Sequence, residues 1–140
     1  MMTVPKFRAY GRKNYCMSTE IEPKEMYYDV SVVTTFDDKK QHVITDFGMW
    51  NEEEYNGTEL IDYDLMQSTG LFDKNGVEIF EGDVIEIKRL LAPRFLVKKH
   101  KKSTQFVLQA NFFMEYFGTF GQDELEVIGD IHQQPHLLED

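Results

Sequence analysis

The stretch LMQSTGLFDKNGVEIFEGDVIEIK, Leu65 to Lys88, decides how this chain is read. DKNG (Asp73–Gly76) places Asp at the first turn position and Gly at the last. That is the pattern of a type I turn whose final residue takes the left-handed conformation. After the turn, VEIF alternates, and Val77 and Ile79 are expected on one face of a strand. Gly82 then marks a corner, because a residue without Cβ lets the backbone bend sharply. DVIEIK resumes the strand, with Val84 and Ile87 inward. A strand, a corner and a second strand within so few residues is how small barrels turn, and bends at Gly82 and Gly118 suit a curved sheet.

The same two-residue period runs through most of the chain. YYDVSVVTTF (Tyr27–Phe36) is β-branched and aromatic, DDKK (Asp37–Lys40) is polar, and QHVITDF (Gln41–Phe47) returns, so the three together read as a hairpin. NEEEYNG (Asn51–Gly57) ends in an Asn-Gly turn signal. A third strand is expected around Leu60–Ser68. TQFVLQANFFMEYFGTF (Thr104–Phe120) is the most apolar run. Phe106, Ala110, Phe113 and Phe117 have helical spacing, but Val, Phe and Tyr dominate and favour strands. ELEVIGDI (Glu124–Ile131) is a last strand, and Pro135 suits the first position of a short helical turn. The fold class is therefore mainly β. It comprises an N-terminal hairpin region (1–58) and a C-terminal small barrel of SH3-like character (59–140), packed as one compact unit, with at most one or two short helices.

Composition sets further bounds. A chain of 140 residues with 41% hydrophobic content can build a core without disulfide or metal. Cys16, the only cysteine, cannot form an internal disulfide, so a reducing cytoplasm is expected and the thiol reads as a small packed side chain. The N-terminal MMTVPKFRAYGRK has no apolar core of a secretory leader, and no run of about 18 apolar residues suggests a membrane span. The net charge of −10 disfavours non-specific binding of the whole molecule to nucleic acid. The charge is unevenly spread. Residues 51–87 hold eleven acids and one base, residues 88–102 hold seven bases and no acid, and residues 103–140 hold seven acids and no base.

Three stretches in order resemble the YopX protein family of bacteriophages and prophages: KFRAYGRKNYCM (Lys6–Met17), QSTGLFDKNGVEIFEGDVIEI (Gln67–Ile87) and LEVIGDIHQQPHLLE (Leu125–Glu139). The middle stretch is similar almost residue for residue to the family's Thr-Gly-Leu-x-Asp-x-Asn-Gly core and its Glu-Gly-Asp ending. Tyr10-Gly11 replaces the more usual Trp-Asp, and Asp130 and His132 stand where Asn and Tyr are common. The resemblance implies a mainly β fold and a host cytoplasm during infection or lysogeny, and it implies no catalytic residue set. Thr69, Gly70, Asp73, Asn75, Gly76, Glu81, Gly82, Asp83 and Gly129 read as motif residues with structural roles.

Chemistry-bearing candidates are few. Glu81 and Asp83 form a carboxylate pair suited to acid–base work, and Asp62 and Asp64 could share a hard cation. Both pairs suit a metal-assisted hydrolase, yet turn-capping and a solvated strand face explain them more simply. His132 and His136 have a zinc-like spacing, but Pro135 lies between them and no third ligand is near. No phosphate-binding glycine loop or nucleophile motif occurs. No catalytic residue, metal or cofactor is therefore expected. KKHKK (Lys98–Lys102) could contact phosphates, which makes a nucleic-acid binder using residues 94–102 the alternative.

The leading expectation is a non-enzymatic binding module with a protein or a second copy of itself as partner. Trp50, Tyr55 and Phe95 would supply aromatic contacts, and Lys98, Lys99, Lys101 and Lys102 charged ones. Phe112, Phe113, Tyr116, Phe117 and Phe120 cannot all face one core from an alternating strand, which favours a homo-oligomer. The turn reading is directly testable. Gly76→Val should cost on the order of 1–2 kcal/mol through left-handed strain, and a thermal melt unchanged by it would refute the turn.

Overall fold

The computed structural model describes residues 6–14, 22–49, 55–91 and 93–139. By its contacts the chain divides into two units, 1–66 and 67–140, against a 58/59 boundary read from the sequence. Among the described residues no helix is long and apolar enough to cross a membrane.

In the first unit the strands are β1 (Phe7–Lys13), β2 (Glu25–Tyr27), β3 (Val30–Thr34), β4 (Gln41–Met49) and the beginning of β5 (Tyr55–Phe72). Their order across the sheet is β2-β1-β5-β4-β3. The expected hairpin is β3 against β4, in register from Val30↔Thr45 to Thr34↔Gln41. The β5 strand is far longer than the segment expected around Leu60–Ser68.

One connection shapes this sheet. The edge strands β2 and β3 are joined only through Tyr28 and Asp29. Three Cα steps reach at most about 11 Å, whereas five flat strands would hold their edges about 19 Å apart. The sheet must curl, and β1 and β3 do approach each other. The curl encloses Ala9, Val43 and Leu60, with Tyr27, Val30, Tyr63 and Leu65 packed around them. Asp29 fastens the link: it accepts from the Thr45 hydroxyl at 2.7 Å and from the Asp46 N–H at 3.1 Å, where β4 bulges. The buried Arg8 places its guanidinium 5.8 Å from the Tyr28 ring centre.

In the second unit the end of β5 pairs with β6 (Glu78–Phe80) across the DKNG turn, Phe72 opposite Glu78. There follow β7 (Asp83–Glu86), β8 (Arg94–Lys99), β9 (Phe106–Gln109), β10 (Met114–Tyr116) and β11 (Glu126–Asp130). The apolar run 104–120 thus forms strands rather than a helix. The sheet order is β10-β9-β8-β7-β11, all antiparallel neighbours. Strands β7 to β10 form a four-strand meander, and β11 returns to pair with β7. The sheet is nevertheless open: β10 and β11 are its two edges, and the closed barrel is not formed. Among the described residues, helix is confined to three short 3-10 turns, Phe117–Thr119, Gln122–Glu124 and Pro135–Leu138. The core gathers Ile79, Ile85, Ile87, Phe95, Val97, Leu108, Phe117 and Leu125.

The turn and corner carry out their expected roles. Gly76 has φ 78° and Gly82 has φ 87°. Val77, expected beside Ile79, is instead exposed, because β6 starts only at Glu78 and Val77 still belongs to the turn. The surprise is Asp73, which is fully buried. Its Oδ1 accepts the N–H groups of Asn75 and Val77, each at 2.9 Å, and its Oδ2 accepts Val127 N–H of β11 at 2.9 Å. Its carbonyl accepts the Gln122 side-chain amide at 3.0 Å, and Lys74 N–H donates to Leu125 at 2.9 Å. The hairpin and the last strand therefore meet at one carboxylate. Burial pushes the Asp73 pKa up, but the donated amides outweigh it and leave the group below its ordinary value.

Asp73→Ala strands three backbone donors and should cost about 3 kcal/mol or more in urea unfolding. The depressed pKa means that this stabilisation is present above the unfolded carboxylate value and lost as pH falls through the folded one. The Ala variant should therefore show a shallower acid limb than the parent; parallel limbs would contradict this role.

Candidate functional site

The second unit carries a groove of about 500 Å³, lined by Pro93, Arg94 and Leu96 of the β8 side, by Gln109–Phe113, and by Leu137–Glu139. Local chemistry builds each wall. The loop between β9 and β10 closes through Ala110 N–H to the Phe113 carbonyl at 2.9 Å. The Gln109 side-chain amide donates to the carbonyls of Ala110 at 2.7 Å and Phe113 at 3.1 Å, so this tight loop has few orphan acceptors. Phe113 turns its ring edge onto Phe95, centroids 5.6 Å apart and planes at 85°. The neighbouring Phe112 then points outward and is 97% exposed.

The third wall is held from beneath. Asp130 accepts from the N–H groups of His132 and Gln133 at 3.0 and 2.9 Å, and from the Gln133 amide at 2.7 Å. That turn delivers the chain to Pro135–Leu138, where proline occupies the first turn. Arg94 Nη1 donates to the Leu137 carbonyl at 3.0 Å. Gly129 beneath has φ 158°, a conformation that side chains disfavour, and a Cβ there would also press on the ends of Leu137 and Gln134, 2.6 and 2.7 Å away.

The residues expected from the sequence to meet a partner are scattered. Trp50 lies outside the described residues, as does Cys16, and Tyr55 opens β5. Phe95 was expected at the surface because Pro93 signals a loop nearby. It is instead fully buried, since β8 alternates and turns Phe95 and Val97 to the core. The basic segment is an ordered hairpin rather than a loose loop: His100 N–H bonds Gln105 at 2.7 Å, and the His100 ring accepts from Lys102 and Ser103 N–H groups. Arg89 is paired with Glu124, and Lys99 with the Gln67 side chain and over the Phe106 ring. Lys98 is half-buried, while Lys101 and Lys102 are exposed at the hairpin tip.

The motif residues serve the frame. Thr69 donates to the Ile79 carbonyl at 2.7 Å, and Gly70 has φ 78°. The carboxylate pair is engaged with backbone: Glu81 accepts Gln67 N–H and Asp83 accepts Phe80 N–H, each at 2.8 Å. Asp62 lies 3.4 Å from the Arg12 guanidinium, and Asp64 is exposed. Among the described residues no group of three or more His, Cys, Asp or Glu side chains is placed to hold a metal ion.

One charged cluster escaped the sequence reading. His42 Nδ1 lies 2.6 Å from Glu59 and its Nε2 2.9 Å from Asp38. Only a protonated ring can donate to both carboxylates. Those two hydrogen bonds, Glu59 first, raise the His42 pKa above 6.5. Asp38 is lowered to about 2, chiefly by the Thr35 hydroxyl, then by Lys40 N–H and by His42. A raised pKa gives stability that is complete below the unfolded histidine value and lost as pH rises through the folded one. The urea midpoint should thus fall as pH climbs from about 6.5, and His42→Gln should flatten that fall; an unaltered profile would exclude the clamp.

Comparison with known proteins bears on the whole chain. No curated protein matches it. The crystal structure of protein EF1440 from Enterococcus faecalis superposes with a TM-score of 0.59 at 31% identity, over 99% of this chain and 100% of that one. The crystal structure of YopX from Bacillus subtilis gives a TM-score of 0.58 at 15% identity, over 99% and 98%. The family profile described as YopX protein matches residues 6–139. On that match, which spans most of its length, the chain belongs to the YopX protein family.

Proposed function

We propose that the chain is a non-enzymatic binding module, encoded by a phage or prophage and acting in the host cytoplasm, which takes an apolar segment of a protein into the groove of its second unit. The origin and compartment rest on the family resemblance. The observation that carries the binding role is the fully exposed Phe112 beside a groove with mostly hydrocarbon and aromatic walls. Sites that hold ligands are typically concave, predominantly apolar and about 300–1,000 Å³, with a few polar groups for orientation. Here Arg94, Gln109, Asn111 and Glu139 are the polar side chains in the lining. Aromatic anchors at such recesses dominate binding energy.

Selection of a random displayed-peptide library on the immobilised protein tests this reading. Enrichment of sequences with aromatic or aliphatic anchors is expected. Their binding should weaken about tenfold or more for Phe112→Asp, a substitution at an exposed position that leaves the melt unchanged. No enrichment, or peptides indifferent to Phe112, would defeat it.

A further inference from the structure

The groove region carries a protrusion as well as a recess. Phe112 stands in the lining yet is 97% exposed, so its ring projects from the groove instead of filling it. The loop dictates this, because Phe113 is committed to Phe95 and consecutive residues in so tight a turn point apart. A patch with a knob beside a hole is self-complementary under a two-fold axis, as isologous interfaces require. Its charges can pair across the axis too: the lining contains Arg94, whose guanidinium lies 3.5 Å from Glu86 of its own chain yet stays half-exposed, and Glu139 on a separate segment. A two-fold exchange sets each against the opposite charge of the other copy.

Resting on the reading of the groove as a docking site, we propose that its occupant is a second copy of this chain. Phe112 of each copy seats in the other's groove, and Arg94 faces the partner's Glu139. The area available sets the strength. Phe112, Phe113 at 41% exposure and Tyr116 at 45% offer roughly 350 Å² per copy at about 200 Å² per fully exposed aromatic ring. Even with the groove walls the total stays below about 1,200 Å², the size of weak, transient encounters. The dimer is accordingly weak, with a dissociation constant on the order of tens of micromolar.

Edge-to-edge strand pairing is the rival way to bring two copies together, and β10 is an edge of the sheet. Its middle residue is Glu115. Antiparallel pairing of β10 with itself would set the two Glu115 carboxylates opposite each other, which repels. Side-chain exchange through Phe112 avoids that contact.

Light scattering on the full chain across a concentration series is the test. Above about 100 μM the mass should approach twice 16.5 kDa, and it should fall to one chain on dilution. Phe112→Asp should hold the monomer mass throughout. Arg94→Glu and Glu139→Arg should each weaken association about tenfold, and the double variant, which restores opposite charges across the axis, should recover most of the loss. The charge pair also answers a Phe112 variant that fails to fold, since recovery in the double variant cannot come from a folding defect. A monomer at every concentration, a dimer indifferent to Phe112, or a double variant no stronger than the singles would overturn the proposal. If the parent stays monomeric while selected peptides still need Phe112, the second copy is refuted and the docking site stands. If the peptides also ignore Phe112, both fall.

Discussion

Taking a carboxylate out of water costs several kcal/mol, and Asp73 offsets that cost with three backbone N–H groups, two from its own turn and one from a strand 54 residues away. The rest of the second unit follows from this arrangement. Because Asn75 and Val77 are held, the DKNG turn is fixed and β6 leaves it in one register. Because Val127 is held, β11 is fixed beside the turn as well as along β7. Lys74 adds its N–H to Leu125 and its ammonium to Glu126, so the turn is tied to the last strand by backbone and by charge. The bulge in β11 between Val127 and Gly129 lies next to the point of attachment.

Much of the fold is legible in the sequence because its signals are local. The DKNG turn, the Gly82 corner, the 30–47 hairpin and the turn at Pro135 each depend on residues a few positions apart. Other features depend on distant partners. The two-residue link at Tyr28–Asp29 reads as ordinary strand, and nothing nearby says that it joins opposite edges of a sheet. Asp73 reads as a turn residue, and its bond to Val127 is invisible at that range. The openness of the second sheet is likewise a matter of how far β10 and β11 extend, which alternation does not encode. Val77 failed because periodicity was extended one residue into a turn that still owned it.

The groove was less legible for the same reason. It is assembled from residues 93–96, 109–113 and 137–139, and only the last of these falls in a stretch with family resemblance. The aromatic excess in 104–120 was a usable signal, and the aromatics do divide: Phe117 is buried, whereas Phe112, Phe113 and Tyr116 keep substantial exposure. Phe95 misled because nearness to a loop signal was weighted above its place in an alternating strand. The His42 cluster had a weak local sign, Asp38 four residues earlier, but Glu59 arrives from another strand.

The bond from Asp73 to Val127 also has a meaning in time. It closes a segment of 54 residues, whereas the DKNG hairpin closes only a few. Loop entropy makes the longer closure roughly 2 kcal/mol costlier, so the hairpin can form and dissolve many times before β11 arrives. During those trials the Asp73 carboxylate stays hydrated, with its strongest partners absent. Its desolvation is a late event, reached after most apolar surface has already gathered. The residue that anchors the finished unit therefore restrains its departure more than it hastens its arrival, and its loss would be felt mainly as faster unfolding.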